Sequence, residues 1–263
     1  CRPAGEAARA PGASAVAGAE VAAVETAPPP VWPAAGAPLR VLPARPARGT
    51  LLLDAGHGAD GNTGNTNGRC EAEQDVMKRV TDGVAERLVA RGLAVRRTRP
   101  DAALVPYPTR LRASRDATWF VSFHSDARAG EGMHRDPDTG CWVNTGATGF
   151  SVLWSDEGDA ALVAKRRALA RAVARRLAEA GLPPYLGTDY GGLYDGDEVP
   201  GVFVDRHAPK QRIMLLRRPV VPSILVETHQ AWDRDEVARW EEPGTWDAVA
   251  GALAAALSDV EAE

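Results

Sequence analysis

Leu51-Leu52-Leu53-Asp54-Ala55-Gly56-His57-Gly58 is the stretch on which the reading of this chain turns. Three leucines after Thr50, bounded by Gly49 and Gly56, predict a short buried strand. A histidine between two glycines, where an apolar strand stops, is poorly explained as packing, because the glycines let the backbone turn and leave the imidazole uncovered. Ala59 to Arg69 holds three Gly and three Asn and predicts an active-site loop rather than an element. Glu73 then opens a helical pattern. Strand end, loop and helix start bring an imidazole and a carboxylate to one rim, which is what a metal site requires.

Outward from that stretch, strand-like and helix-like segments alternate. Val76, Val80, Val84 and Leu88 share one face of a helix over Glu73 to Arg91, stopped by Gly92. Leu93 to Arg97 reads as a strand, and Thr109 to Asp116 as a short arginine-rich helix. Trp119 to His124 is a second buried strand ending in histidine. Phe150 to Trp154 is strand-like, Asp159 to Ala180 is a long helix, and Val220 to Thr228 contains a last buried strand, Ile224-Leu225-Val226. Thr245 to Asp259 reads as a closing amphipathic helix with Thr245 as N-cap. The irregular stretches 128–148 and 185–206 read as two long loop insertions, a length that in a compact domain usually signals function. The alternation predicts one α/β domain with a largely parallel sheet flanked by helices.

The 263 residues suffice for a real core, and a net charge of −4 gives no reason to expect a nucleic-acid partner. Residues 2–48 are dominated by Ala, Pro and Gly, hold nine of the 20 prolines and have Trp32 as their only aromatic. Such a segment buries too little apolar surface to offset its conformational entropy, so 1–48 is expected to be a tether and 49–263 the folded domain. Cys1 at the head of that tether resembles the lipid-modified first residue of a mature bacterial lipoprotein. The expectation is then a membrane-anchored protein of the bacterial cell envelope, in the periplasm; the bland alternative is an arbitrary trim that fell on a cysteine. In an oxidising compartment Cys70 and Cys141 are candidates for a disulfide, against two free thiols or Cys70 as a metal ligand.

His57, His124 and Glu227 each fall at the carboxyl end of an expected buried strand, and Glu73 opens a helix. In open α/β sheets, sites gather at that edge. Two imidazoles and a carboxylate form a ligand set of catalytic zinc sites, which leave a fourth position for water. Glu227 beside them could carry a proton.

Four segments carry a resemblance: Leu-Asp-Ala-Gly-His-Gly at 53–58, Glu73-Gln74-Asp75, Val-Ser-Phe-His-Ser-Asp-Ala at 121–127, and Pro-Ser-Ile-Leu-Val-Glu-Thr at 222–228. In order and approximate spacing they resemble the zinc-dependent N-acetylmuramoyl-L-alanine amidases, bacterial cell-wall hydrolases. The resemblance implies His57, Glu73 and His124 as Zn2+ ligands and Glu227 as catalytic carboxylate. It implies a roughly six-stranded sheet and cleavage, in peptidoglycan or muropeptides, of the amide joining N-acetylmuramic acid to L-alanine. A monomer is the default expectation.

Departures leave alternatives open. Glu71 competes with Glu73. After Glu227-Thr228 the family usually continues Gly-Phe, whereas here His229-Gln230-Ala231-Trp232 follows. In an extended backbone His229 shares a face with Glu227 and could orient it or contact substrate; the bland reading is a surface histidine. Other readings of the chain are a zinc hydrolase for a different amide or peptide, and a non-catalytic peptidoglycan-binding lipoprotein.

Overall fold

The computed structural model describes residues 38–59, 61–101, 104–187 and 192–262; Cys1 and most of the expected tether lie outside the described residues. Strands β1 (Thr50–Ala55), β2 (Ala94–Arg97), β3 (Trp119–Asp126), β6 (Ser151–Trp154), β7 (Tyr194–Gly196), β8 (Val202–Asp205) and β9 (Ser223–Gln230) make one sheet in the order β2-β1-β3-β9-β6-β8-β7. A hairpin, β4 (His134–Arg135) with β5 (Trp142–Val143), stands apart from it. The helices are α1 (Glu73–Ala90), α2 (Tyr107–Ala113), α3 (Ala160–Glu179), α4 (Met214–Arg217), α5 (Arg234–Trp240) and α6 (Pro243–Ala262).

The sheet is mostly parallel, as the alternation predicts; only the β6–β9 and β7–β8 pairings are antiparallel. β1, β3 and β9 are apolar on both faces because helices cover both faces. α1, α3 and α6 pack one side through Val76, Val80, Val84, Leu88, Leu169, Val173 and Leu253. The other side rests on α2 and α4 through Leu111 and Leu215, against Leu52 and Phe120. No helix among the described residues is long and apolar enough to cross a membrane.

Several expectations need correcting. The sheet has seven strands where the resemblance implies roughly six. The supposed loop 185–206 contributes β7 and β8, and β8 is buried beside β6. Val202-Phe203-Val204 is too short to show a period, and its burial comes from a partner 50 residues away. The insertion 128–148 holds the hairpin, which Cys70–Cys141 fastens to the loop before α1. Arg234 adds to that fastening, pairing with Asp136 at 2.8 Å and donating to the Gly68 carbonyl at 2.8 Å. Thr245 is not an N-cap: α6 starts at Pro243, and the Thr245 hydroxyl donates back to the Arg239 carbonyl. Residues 38–48 are no tether, since Leu42 and Ala47 are buried in the core and the Arg40 N–H bonds the Ala180 carbonyl.

One ion pair ties strands and helices together at the sheet's carboxyl edge. Asp54 in β1, with no exposed surface, accepts hydrogen bonds from Arg110 of α2 (3.1 Å), Thr98 just beyond β2 (2.5 Å) and Ser122 of β3 (2.6 Å). Arg110, equally buried, also donates to the carbonyls of Ala55, His57, Gly58 and Val105. Replacing Arg110 with Met would leave Asp54 charged and buried without its cation. The expected loss in urea unfolding is about 3–5 kcal/mol, the typical cost of removing one partner of a buried pair.

Candidate metal centre and cleft

The turn after β1 sets the first ligand. His57 has φ +57°, a left-handed conformation uncommon outside glycine, held by Arg110 and Arg99 bonding its carbonyl. Two neighbouring glycines make room. A Cβ on Gly56 would lie 2.6 Å from the His124 ring, and one on Gly64 would lie 2.5 Å from a Glu73 oxygen.

His57, Glu73 and His124 then converge. His57 Nε2 is 3.1 Å from Glu73 Oε2 and 3.1 Å from His124 Nδ1, and His124 Nδ1 is 3.1 Å from Glu73 Oε1. Ligands about 2.0–2.1 Å from a tetrahedral zinc are about 3.3 Å apart, and the two ring nitrogens, with one Glu73 oxygen facing each of them, stand close to that separation. They are the one group of three or more His, Cys, Asp or Glu side chains among the described residues that could hold a metal ion. His124 Nδ1 is crowded by two acceptors, His57 Nε2 and Glu73 Oε1, each 3.1 Å away, an arrangement better explained by a cation than by hydrogen bonding alone. The donor set, two imidazoles and a carboxylate, fits Zn2+.

Each ligand is oriented from behind. His57 Nδ1 lies 2.9 Å from Asn62 Oδ1, which fixes the proton on Nδ1 and leaves the Nε2 lone pair for the cluster. Asn62 Nδ2 in turn donates to the Tyr107 hydroxyl at 3.1 Å. Glu73 accepts from the Asn65 backbone N–H (3.0 Å), the Asn65 side-chain amide (2.8 Å) and the Ser125 N–H (3.0 Å). Burial works against the Glu73 carboxylate, but hydrogen bonds from His124 and His57 outweigh it and hold its pKa well below the usual range. Burial likewise opposes the His57 imidazolium, and the Glu73 hydrogen bond and charge reverse that and raise its pKa.

Glu227 stands opposite His124 in the β3–β9 register and lines the same cleft. Its Oε2 is buried with no hydrogen-bond partner. Burial, then the charges of Asp126 and Glu73, push its pKa well up. The cleft, about 310 Å³, is lined by His57, Tyr107, His124, Glu227 and an apolar wall of Ile213, Met214, Leu215 and Leu225.

Other expectations fall outside this cleft. Glu71 pairs with Arg79 at 2.9 Å and is not part of the cluster. The substrate-contact reading of His229 needs correcting, as does the surface reading. The strand stays extended to Gln230, yet His229 has no exposed surface, stacks on Trp240 and is hydrogen-bonded at Nδ1 by Thr228. Burial lowers its pKa to about 3, so it is neutral. Cys70 is disulfide-bonded and is not a ligand. Sequence reading missed Asn62, Asn65 and Tyr107. The three asparagines of the loop were visible, but nothing local marked which of them face the ligands.

A model of the N-acetylmuramoyl-L-alanine amidase family matches residues 51–259. No curated protein matches the chain. Among solved structures, the fold is similar to that of the N-acetylmuramyl-L-alanine amidase Ami1 of Mycobacterium smegmatis, with TM-score 0.62 and 21% identity over 82% of this chain and 98% of that one. Ami1 of Mycobacterium abscessus gives 0.60 and 20% over 81% and 99%. The amidase AmiC2 of Nostoc punctiforme gives 0.55 and 23% over 80% and 95%. At these identities the likeness speaks for the fold.

Asn62→Ala is expected to weaken zinc affinity about 10–100-fold by freeing the His57 ring, as loss of an orienting partner typically does. Competition against a chromophoric chelator reads that change directly.

Proposed function

The chain belongs to the N-acetylmuramoyl-L-alanine amidase family, and from that premise we propose that it is a zinc-dependent hydrolase of the amide joining N-acetylmuramic acid to L-alanine in peptidoglycan. The observation that supports the zinc assignment is the convergence of His57, Glu73 and His124, each side chain 3.1 Å from the other two, with the buried, unpartnered Oε2 of Glu227 lining the same cleft.

His57 Nε2, His124 and Glu73 would hold the ion. When bound, zinc supplies Lewis acidity, polarising an amide carbonyl and acidifying a water. The remaining work falls to the chain. Asn62 and Asn65 keep His57 and Glu73 aimed without rearrangement. Glu227 accepts the proton that water gives up on attacking the carbonyl carbon. It returns that proton to the alanine nitrogen as the C–N bond breaks, because an amine leaves poorly until protonated. The products are a lactyl carboxylate and a stem peptide with a free amino terminus. A wall-degrading enzyme with a Cys70–Cys141 disulfide belongs outside the cytoplasm, and we place it in the bacterial cell envelope.

Mass analysis of products from purified peptidoglycan, with a chelated control, tests the reading. Intact stem peptides with a free L-alanine amine, abolished by chelation, are expected; their absence from the zinc-loaded reaction would overturn it. Glu227→Gln is expected to keep about one zinc per chain by elemental analysis while turnover falls about 10²–10⁴-fold, the usual contribution of a general acid–base.

A further inference from the structure

The cleft beside these three side chains has a particular chemistry. Its ionisable lining residues are His57, His124 and Glu227, already assigned, together with the phenol of Tyr107; no Lys or Arg is among them. The nearby guanidinium of Arg110 lies behind the Tyr107 ring, 4.9 Å from its centroid, with no exposed surface and its donors committed to Asp54 and backbone carbonyls. The opposing wall is Ile213, Met214, Leu215 and Leu225. Apart from the ion that His57 and His124 would help to hold, such a pocket has no counter-charge for a carboxylate.

Tyr107 supplies its one aimed donor. The proton direction runs outward from the cluster: His57 Nδ1–H to Asn62 Oδ1, then Asn62 Nδ2–H to the Tyr107 oxygen. The phenol oxygen is therefore an acceptor within this chain of bonds, and its own O–H is left for the cleft. Burial raises the Tyr107 pKa, so that proton is retained at neutral pH. The ring itself is fixed by stacking on Arg110.

The two sides of the scissile amide differ in charge. Beyond L-alanine the stem peptide carries carboxylates. On the other side, the sugar carries a neutral acetamido group on the ring carbon adjacent to the one bearing the lactyl ether. An apolar wall for a methyl group and one O–H for a carbonyl match the acetamido group and not a carboxylate.

We propose that this pocket is the subsite for the muramoyl N-acetyl group, with the Tyr107 hydroxyl donating to its carbonyl and Ile213, Leu215 and Leu225 receiving its methyl. This deepens the amidase reading and rests on it. Tyr107 binds and orients substrate and takes no part in proton transfer.

The test crosses one substitution with one substrate change. Muramoyl-L-alanine peptides are prepared with the acetyl group intact and with it removed, and kcat/KM is measured for the parent enzyme and for Tyr107→Phe. The parent should lose at least tenfold on deacetylation, which removes both the hydrogen bond and the methyl contact; Tyr107→Phe should lose about tenfold on the acetylated substrate and little on the deacetylated one, where that hydrogen bond is already absent. Equal losses for Tyr107→Phe on the two substrates would reveal a merely structural role and overturn the proposal, as would no loss at all. A change in zinc affinity in Tyr107→Phe, read by chelator competition, would do the same by showing that Tyr107 acts through His57. A second variant, Ile213→Asp, at a partly buried position of the wall, should abolish protection of the metal-free protein against urea by N-acetylmuramic acid; undiminished protection would overturn the apolar half of the subsite. Failure of the parent to cleave either substrate would instead refute the amidase reading itself.

Discussion

The buried Asp54–Arg110 pair is the constraint on which the rest depends. A charged pair without exposed surface is worth having only if every remaining donor and acceptor is satisfied, and here the satisfaction is what builds the site. Asp54 takes its other hydrogen bonds from Thr98 and Ser122, so the residue after β2 and the interior of β3 are locked to β1. Arg110 uses its spare donors on the carbonyls of the turn that carries His57. That turn runs through a left-handed residue, a conformation that persists only where surrounding structure over-determines it. Stability and ligand placement are thus the same set of bonds.

Behind the ligands lies a shell of amides. Asn62 and Asn65 are neither charged nor apolar, and each bridges a ligand to another part of the chain: Asn62 to Tyr107, Asn65 to the Ser125 carbonyl. Asn62 accepts and donates at once and Asn65 donates twice, so both pass orientation along without adding charge beside Glu73. The loop carrying both is pinned by the disulfide at Cys70 and by the Trp232 indole donating to the Thr66 carbonyl.

How much of this could be read beforehand follows from what a local pattern can encode. The strands ending at His57, His124 and Glu227 were legible, since apolar runs stopped by polar residues mark both the strand and its rim. So was the helix opened by Glu73, through its four-residue spacing of valines and leucine. β8 was not, because three residues set among Gly, Pro and Asp become a strand only through pairing with β6. α5 was missed for a related reason: Arg-Asp-Glu-Val-Ala-Arg-Trp looks solvated, yet Glu236 and Arg239 are buried. Glu236 accepts from the Gly149 and Gln230 N–H groups, partners far off in sequence or across a turn. His229 illustrates the opposite failure. Its strand geometry was anticipated, and a tryptophan from α5 then closed over it.

The reversed direction of β6 carries a consequence for which segment flanks the site. Because β6 runs against β9, Ser151 at its start sits beside Glu227 at the end of β9. The segment entering β6, not the one leaving it, therefore borders the rim that carries Glu227, and that segment is the 128–149 excursion with its stapled hairpin. That excursion is itself tied to the sheet, through Arg128 to Asp126 of β3 and Gln230 of β9, and to the loop before α1 through Cys70–Cys141. The approach to His57, His124 and Glu227 is thus shaped by a segment distant from them along the chain and adjacent to them in space.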